Sequence, residues 1–307
     1  MAEGIVFDRI TIVGAGLIGS SVARAIRRGK LTAHLALADA SAEVMAEAES
    51  LKLADSYHSN VADAVAGSDL VILAVPVGAM ASVGAAMAAH LKEGAIISDV
   101  GSVKESVFKA LEPLLPAHAH LIPGHPVAGT EQSGPAAGFA TLFDGRWCIL
   151  TPPEGVDEGA LEKLTALWRG MGSTVEIMDA RHHDLVLAIT SHVPHLIAYN
   201  IVGTASDLEE VTRSEVIKYS AGGFRDFTRI AASDPTMWRD VFLNNKDAVL
   251  EMLGRFSEDL TALQRAIRWG DGDALFELFS RTREIRRRII DAGQDDAKPD
   301  FGRPHEN

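Results

Sequence analysis

The chain has 307 residues, 47% of them hydrophobic, and a formal net charge of −13. That much apolar material can bury a large core and suggests two domains. The acidic balance argues against general binding to nucleic acid or to an anionic membrane, both of which require a positive surface. A single cysteine, Cys148, excludes an intrachain disulfide, makes a cysteine-based metal site improbable and fits a reducing cytoplasm. The first eight residues lack a basic stretch followed by an apolar one, so no signal peptide is read.

The first regular element is the β-rich run Arg9–Val13, which ends in Gly14-Ala15-Gly16-Leu17-Ile18-Gly19 and is followed by a helical stretch over 20–28. Gly14 suits a tight turn out of the strand, Gly16 lets a pyrophosphate approach the backbone, and Gly19 allows close helix-on-strand packing. The helix N-terminus then faces the phosphates. A second apolar run, Leu35–Asp39, ends in an acid placed to accept hydrogen bonds from ribose hydroxyls; no arginine follows it directly to hold a 2′-phosphate, which favours NAD over NADP. Asp39 also suits a turn or helix cap. Leu17 and Ile18, with Val75 and Pro76 at the end of the next strand, are assigned to the same cofactor site.

Residues 70–89 carry no charge and superficially resemble a membrane span. Pro76, Gly78, Gly84 and abundant alanine instead predict a buried strand over 70–75 and then a small-residue helix. After the run at 95–98 comes Asp99-Val100-Gly101-Ser102-Val103-Lys104-Glu105. Ser102 and Glu105 form a capping-box pattern for a helix reaching Leu111. The same hydroxyl lies where strand ends open into a cofactor crevice, so contact with substrate is equally open. Pro123-Gly124-His125-Pro126 then holds a histidine on stiff, extended backbone, with Thr130 and Glu131 nearby, a setting suited to acid–base chemistry. Further strands are predicted at 147–150 and 174–177. Strands alternating with helices predict a doubly wound, mainly parallel Rossmann-like α/β domain over residues 1–178.

From 179 to 292 helical periods dominate, predicting an all-α second domain; residues 293–307 hold too little apolar material to pack and are expected to be disordered. His182 and His183, at the boundary, read as surface or capping residues. His192 and His195 stand at i and i+3 on one helix face without the carboxylate pattern of a zinc protease, so no metal is assigned. Arg225 and Arg229 lie four apart, with Asp226 available to orient either, and arginine suits bidentate carboxylate recognition. The arginines between 281 and 288 pair with Glu277 and Glu284 at i,i+4 and read as a solvated face.

Together GAGLIGSS at 14–21, DVGSVK at 99–104, PGHPVAGTEQSG at 123–134, LFDGRWCILTP at 142–152, SHVPH at 191–195 and GGFRDFTRIAASDPTMWRD at 222–240 resemble the prephenate/arogenate dehydrogenase family. The resemblance implies a cytoplasmic, NAD-dependent enzyme of tyrosine biosynthesis. It would oxidatively decarboxylate a cyclohexadienyl substrate and form a homodimer through the helical domain. By position it implies that His125 is catalytic and assisted by Ser102, that Arg229 grips the substrate carboxylate, and that Thr130, Glu131, His192 and His195 line or gate the pocket. No fused mutase or regulatory domain is read outside residues 9–292, so any feedback by tyrosine is expected at the active site.

Two other readings stand beside this one. A β-hydroxyacid dehydrogenase shares the two-domain build but typically uses a KxxxN helix motif, and Lys246 is followed by Leu250 where the asparagine would stand. A non-catalytic NAD-binding sensor would leave His125 and Arg229 dispensable. Prephenate and arogenate differ by a keto or an amino group. Asp144 is a candidate to meet the ammonium, or else an acid in a surface turn.

Overall fold

The computed structural model describes residues 4–130, 132–207 and 221–290. Its first part is a six-stranded sheet of β1 (Phe7–Val13), β2 (Thr32–Ala38), β3 (Ser56–His58), β4 (Leu70–Leu73), β5 (Ile96–Asp99) and β6 (His120–Leu121). The order is β3-β2-β1-β4-β5-β6 and every pairing is parallel. This is the doubly wound order expected, with a reversal of direction between β1 and β4. Alternation along the strands sends neighbours to opposite faces. Ile10, Ile12, Leu70 and Ile72 enter a core with Leu164, Leu167 and Trp168, whereas Val13, Val71 and Leu73 enter another with Met80, Met87 and Leu111. Burial on both faces explains why these strands read as unbroken apolar runs.

Helices α1 (Leu17–Gly29), α2 (Ala42–Ser50), α3 (Val61–Val65), α4 (Met80–Met87), α5 (Glu105–Leu111) and α6 (Glu158–Gly170) cover the sheet region. Three of these six starts carry a local cap: Ser41, Asn60 and Asp157 each accept a first-turn backbone N–H through the side chain. Helix α5 does not. It opens at Glu105 after Lys104, without a cap from Ser102, so the expected capping box is absent.

The runs at 147–150 and 174–177 are strands, but they do not extend the parallel sheet. They form a second, three-stranded sheet, β7 (Gly124–Pro126), β8 (Trp147–Leu150) and β9 (Thr174–Ile177), with β7 antiparallel to β8 and β8 parallel to β9. Pro123 and Pro126 lack amide protons and limit β7 to three residues, which makes it hard to read as a strand. This short strand places His125 opposite Ile149.

Beyond residue 179 every described element is helical: α7 (Ala180–Leu187), α8 (Val193–Asp207), α9 (Gly222–Thr228), α10 (Pro235–Asn244), α11 (Lys246–Trp269) and α12 (Gly272–Ile289). A wide π turn over Ala188–His192 joins α7 to α8 just before Pro194, whose ring does not fit a regular α-helical interior. The helical part meets the sheet part through Trp238 and Val241 of α10, packed with Val103 and Val77.

Candidate active site

The glycine loop lies at the β1–β4 reversal. Gly14 has φ +102°, and a Cβ there would fall 2.4 Å from the Ala74 carbonyl oxygen, so only glycine fits the turn. At Gly16 a Cβ would meet nothing within 4 Å. The backbone there is bare towards open space at the start of α1, which suits close approach by a pyrophosphate. Asp39 closes the loop from β2: its carboxylate accepts the Ala15 and Ser41 N–H groups, each at 2.9 Å. Leu17 and Ile18 begin α1, and Val75 and Pro76 follow β4 at the same end of the sheet. These residues fit a dinucleotide whose phosphates meet the helix start and whose ribose meets Asp39.

A buried polar network runs from the end of β5 into the helical part. Lys104, fully buried, donates from Nζ to the Asp99 carboxylate at 2.5 Å and to the Gly124 carbonyl at 2.6 Å. Asp99 also accepts the Gly101 and Gly124 N–H groups. Burial pushes the Asp99 carboxyl up and the Lys104 ammonium down, each opposed by attraction to the other. Three donors on the carboxylate and a carbonyl on the ammonium favour the ionic pair. The pair holds the backbone immediately before His125.

Asp184 of α7 supplies the cap that α5 lacks locally. Its carboxylate accepts the Lys104 N–H at 2.8 Å and the Glu105 N–H at 3.0 Å, and it meets His183 Nδ1 at 2.8 Å. His183 Nε2 lies 2.8 Å from His125 Nδ1. A carboxylate accepting these bonds requires the His183 proton on Nδ1, so its Nε2 accepts from His125 Nδ1–H, which leaves the lone pair of neutral His125 on Nε2. Burial is the main cause holding His125 well below the ordinary histidine pKa, followed by His183, Lys104 and His192. The ring is therefore neutral at physiological pH. His125 is 7% exposed, and its Nε2 has no partner among the described residues.

Three of the remaining candidates lie on the helical side. His192 is buried, its Nδ1 is 3.1 Å from Asn245 Nδ2, and burial pulls its pKa down to about 4. His195 Nδ1 donates to the Ser191 carbonyl at 2.8 Å, and its ring stacks on Trp238 with ring centroids 3.7 Å apart. Arg229 opens the short 3-10 turn Arg229–Ala232, so Arg225 and Arg229 do not share one continuous α-helix. Asp226 contacts its neighbour Arg225 at 3.3 Å. The positive charge of Arg229 helps hold His195 below its ordinary pKa, after burial.

Ser102 is half-buried in the bend after β5. Thr130 is half-buried and accepts the Gln132 N–H at 3.3 Å. Glu131 and the tail over 293–307 lie outside the described residues. The reading of His183 as a surface or capping residue is overturned: it is fully buried and touches His125, whereas His182 is exposed. Asp144 makes a two-pronged ion pair with Arg28, at 2.9 and 2.5 Å, in the last turn of α1, away from the crevice end of that helix. It is a surface acid at the opposite end of α1 from the glycine loop. Sequence reading missed Asp99, Lys104, Asp184 and Asn245 as supports of the site. The adjacent His183-Asp184 pair was the available signal.

Both parts of the chain match known proteins. Residues 22–177 match the family described as prephenate dehydrogenase, nucleotide-binding domain, and residues 179–281 match prephenate dehydrogenase, dimerization domain. A cyclohexadienyl dehydrogenase of Zymomonas mobilis is 46% identical over 281 residues, covering 92% of this chain and 96% of that protein. A prephenate dehydrogenase of Bacillus subtilis is 33% identical, covering 91% of this chain and 75% of the relative. The crystal structure of prephenate dehydrogenase from A. aeolicus in complex with hydroxyphenyl propionate and NAD+ has a TM-score of 0.86 at 33% identity, covering 92% of this chain and 98% of that one. With both parts matched in order, this chain belongs to the prephenate dehydrogenase family.

Proposed function

We infer that the chain is an NAD-dependent cyclohexadienyl dehydrogenase of tyrosine biosynthesis, converting prephenate to 4-hydroxyphenylpyruvate, arogenate to tyrosine, or both. The observation that carries the chemistry is the Asp184–His183–His125 chain, which supports a neutral His125 with its lone pair on Nε2. Gly14, Gly16, Leu17, Ile18, Gly19, Asp39, Val75 and Pro76 would hold NAD, which when bound would supply the hydride acceptor.

In this reading His125 Nε2 accepts the ring-hydroxyl proton as hydride leaves the carbinol carbon. Carbon dioxide then departs, its bonding pair enters the ring, and the proton returns to the oxygen to give the phenol. Aromatisation drives the loss of carbon dioxide, so the protein's task is alignment and not stabilisation of the leaving carboxylate. Ser102 assists at the hydroxyl. Arg229 holds the substrate carboxylate, and Thr130, Glu131, His192 and His195 complete the pocket.

The division at residues 178 and 179, a homodimer through the helical part and a cytoplasmic location belong to the same proposal. The dimer is supported by large apolar side chains left open on α11 and α12, among them Leu250, Ile267, Trp269, Phe276 and Phe279. The test is NADH formation with each substrate. Turnover with prephenate or arogenate is expected, and the ratio of the two kcat/KM values assigns the preference. Absence of NADH with both would overturn the activity and leave the sensor reading.

A further inference from the structure

The helical part contributes a residue to this network that none of the motifs contains. Asn245 lies between α10 and α11, is 5% exposed, and its backbone is fixed by an N–H bond to the Val241 carbonyl. Its Nδ2 donates to the Asp184 backbone carbonyl at 2.9 Å and meets His192 Nδ1 at 3.1 Å. A carbonyl can only accept, so the amide orientation is fixed; an amide NH2 can only donate, so His192 Nδ1 must accept. Neutral His192 therefore carries its proton on Nε2. That atom is buried and makes no hydrogen bond among the described residues, and the backbone of Ser102 lies near the His192 ring. His125 and His192 thus hold opposite tautomers: one presents a lone pair on Nε2, the other a proton.

We propose that Asn245 is a positioning residue for the reaction, tying the residue that orients His183 and His125 to His192 through one amide nitrogen, and presetting His192 as an Nε2–H donor beside the Ser102 bend. The proposal rests on the assignment of His125 and Ser102 to the reaction. It adds a support that acts on both through other groups. An amide is suited to this place. A carboxylate would demand a proton from Nδ1 and reverse the His192 tautomer, and an apolar side chain would leave both the Asp184 carbonyl and His192 Nδ1 without their donor.

The test uses the full-length enzyme and two variants, Asn245→Leu and Asn245→Asp, with the second nearly isosteric in case the first folds poorly. Three quantities are read: kcat, NAD affinity by protein fluorescence, and the His192 tautomer by 15N chemical shifts of labelled histidine. Wild type is expected to show the Nε2–H form and Asn245→Asp the Nδ1–H form. In either folded variant kcat should fall by roughly 10²-fold with NAD affinity little changed, as for a misplacement remote from the chemistry. An unchanged tautomer in Asn245→Asp, or kcat within about twofold of wild type in either variant, would overturn the proposal. The tautomer is read without turnover, so it stands even if His125→Asn were to prove that His125 is not the proton acceptor.

Discussion

The cofactor crevice and the polar seam beneath His125 are built in opposite ways. The crevice is made of backbone: a loop of six residues, the start of one helix, and a single carboxylate from the next strand. The seam is made of side chains brought together across long separations. Asp184 caps a helix 80 residues earlier in the chain, and Asn245 binds the Asp184 carbonyl from 61 residues later. A backbone site tolerates change wherever no side chain is needed. A side-chain network depends on each member, because each loss leaves a buried group unsatisfied.

The largest effect that would sharpen this contrast is at His125. His125→Asn should lower kcat by roughly 10²–10⁴ while sparing NAD affinity, the signature of a lost proton acceptor. Steady-state kinetics with a separate NAD titration checks it, and turnover like wild type would remove His125 from the chemistry. Next come two glycines in one loop. Gly14→Ala should destabilise the fold by more than about 2 kcal/mol, since its Cβ would strike backbone and its φ is positive. Gly16→Ala should leave the denaturation midpoint nearly unchanged, because its Cβ has open space, yet raise the KM for NAD. Equal loss of stability in both variants would break the account of the crevice.

Arg229→Ala is expected to act mainly on the substrate KM, by about 1.5–3 kcal/mol, the usual worth of a charged hydrogen bond. An unaltered KM would exclude it from the pocket.

A further expectation is a dependence of stability on pH. His125, His183 and His192 all have lowered folded pKa values, chiefly through burial. In the unfolded chain each takes up a proton near pH ~6.5, whereas the fold resists that proton until lower pH. Stability is therefore greatest above that pH and falls as pH drops towards the folded pKa, which for His192 is about 4. The slope is about 1.4 kcal/mol per pH unit for each histidine involved. Urea midpoints at about pH 7 and about pH 5 measure it, and equal midpoints would mean the three rings are not held neutral by the fold.

This contrast also explains what the sequence made legible. The glycine loop, Asp39 and the alternating strands follow local rules of spacing and periodicity, so the parallel sheet and its crevice were readable in advance. The second sheet was not, because 147–150 and 174–177 carry the same apolar signature whichever sheet they join. The Ser102–Glu105 capping box failed because a distant carboxylate occupies the helix start it was meant to serve. His183 read as exposed because it sits in the first turn of a helix beside exposed His182. Its burial comes from docking against another part of the chain, which no local pattern records. His125 stands out in the sequence because two prolines stiffen its immediate neighbourhood.

The Asp184 cap has a consequence for taking the protein apart. A nucleotide-binding half expressed alone would keep its glycine loop. It would also expose the free Lys104 and Glu105 amides at the start of α5 and deprive His125 of its imidazole neighbour. The two halves are thus poor candidates for exchange as independent modules. A hybrid joining this crevice to another helical half would inherit cofactor binding, but it would inherit the proposed proton transfer only if the incoming half brought an acid and a histidine in the same register.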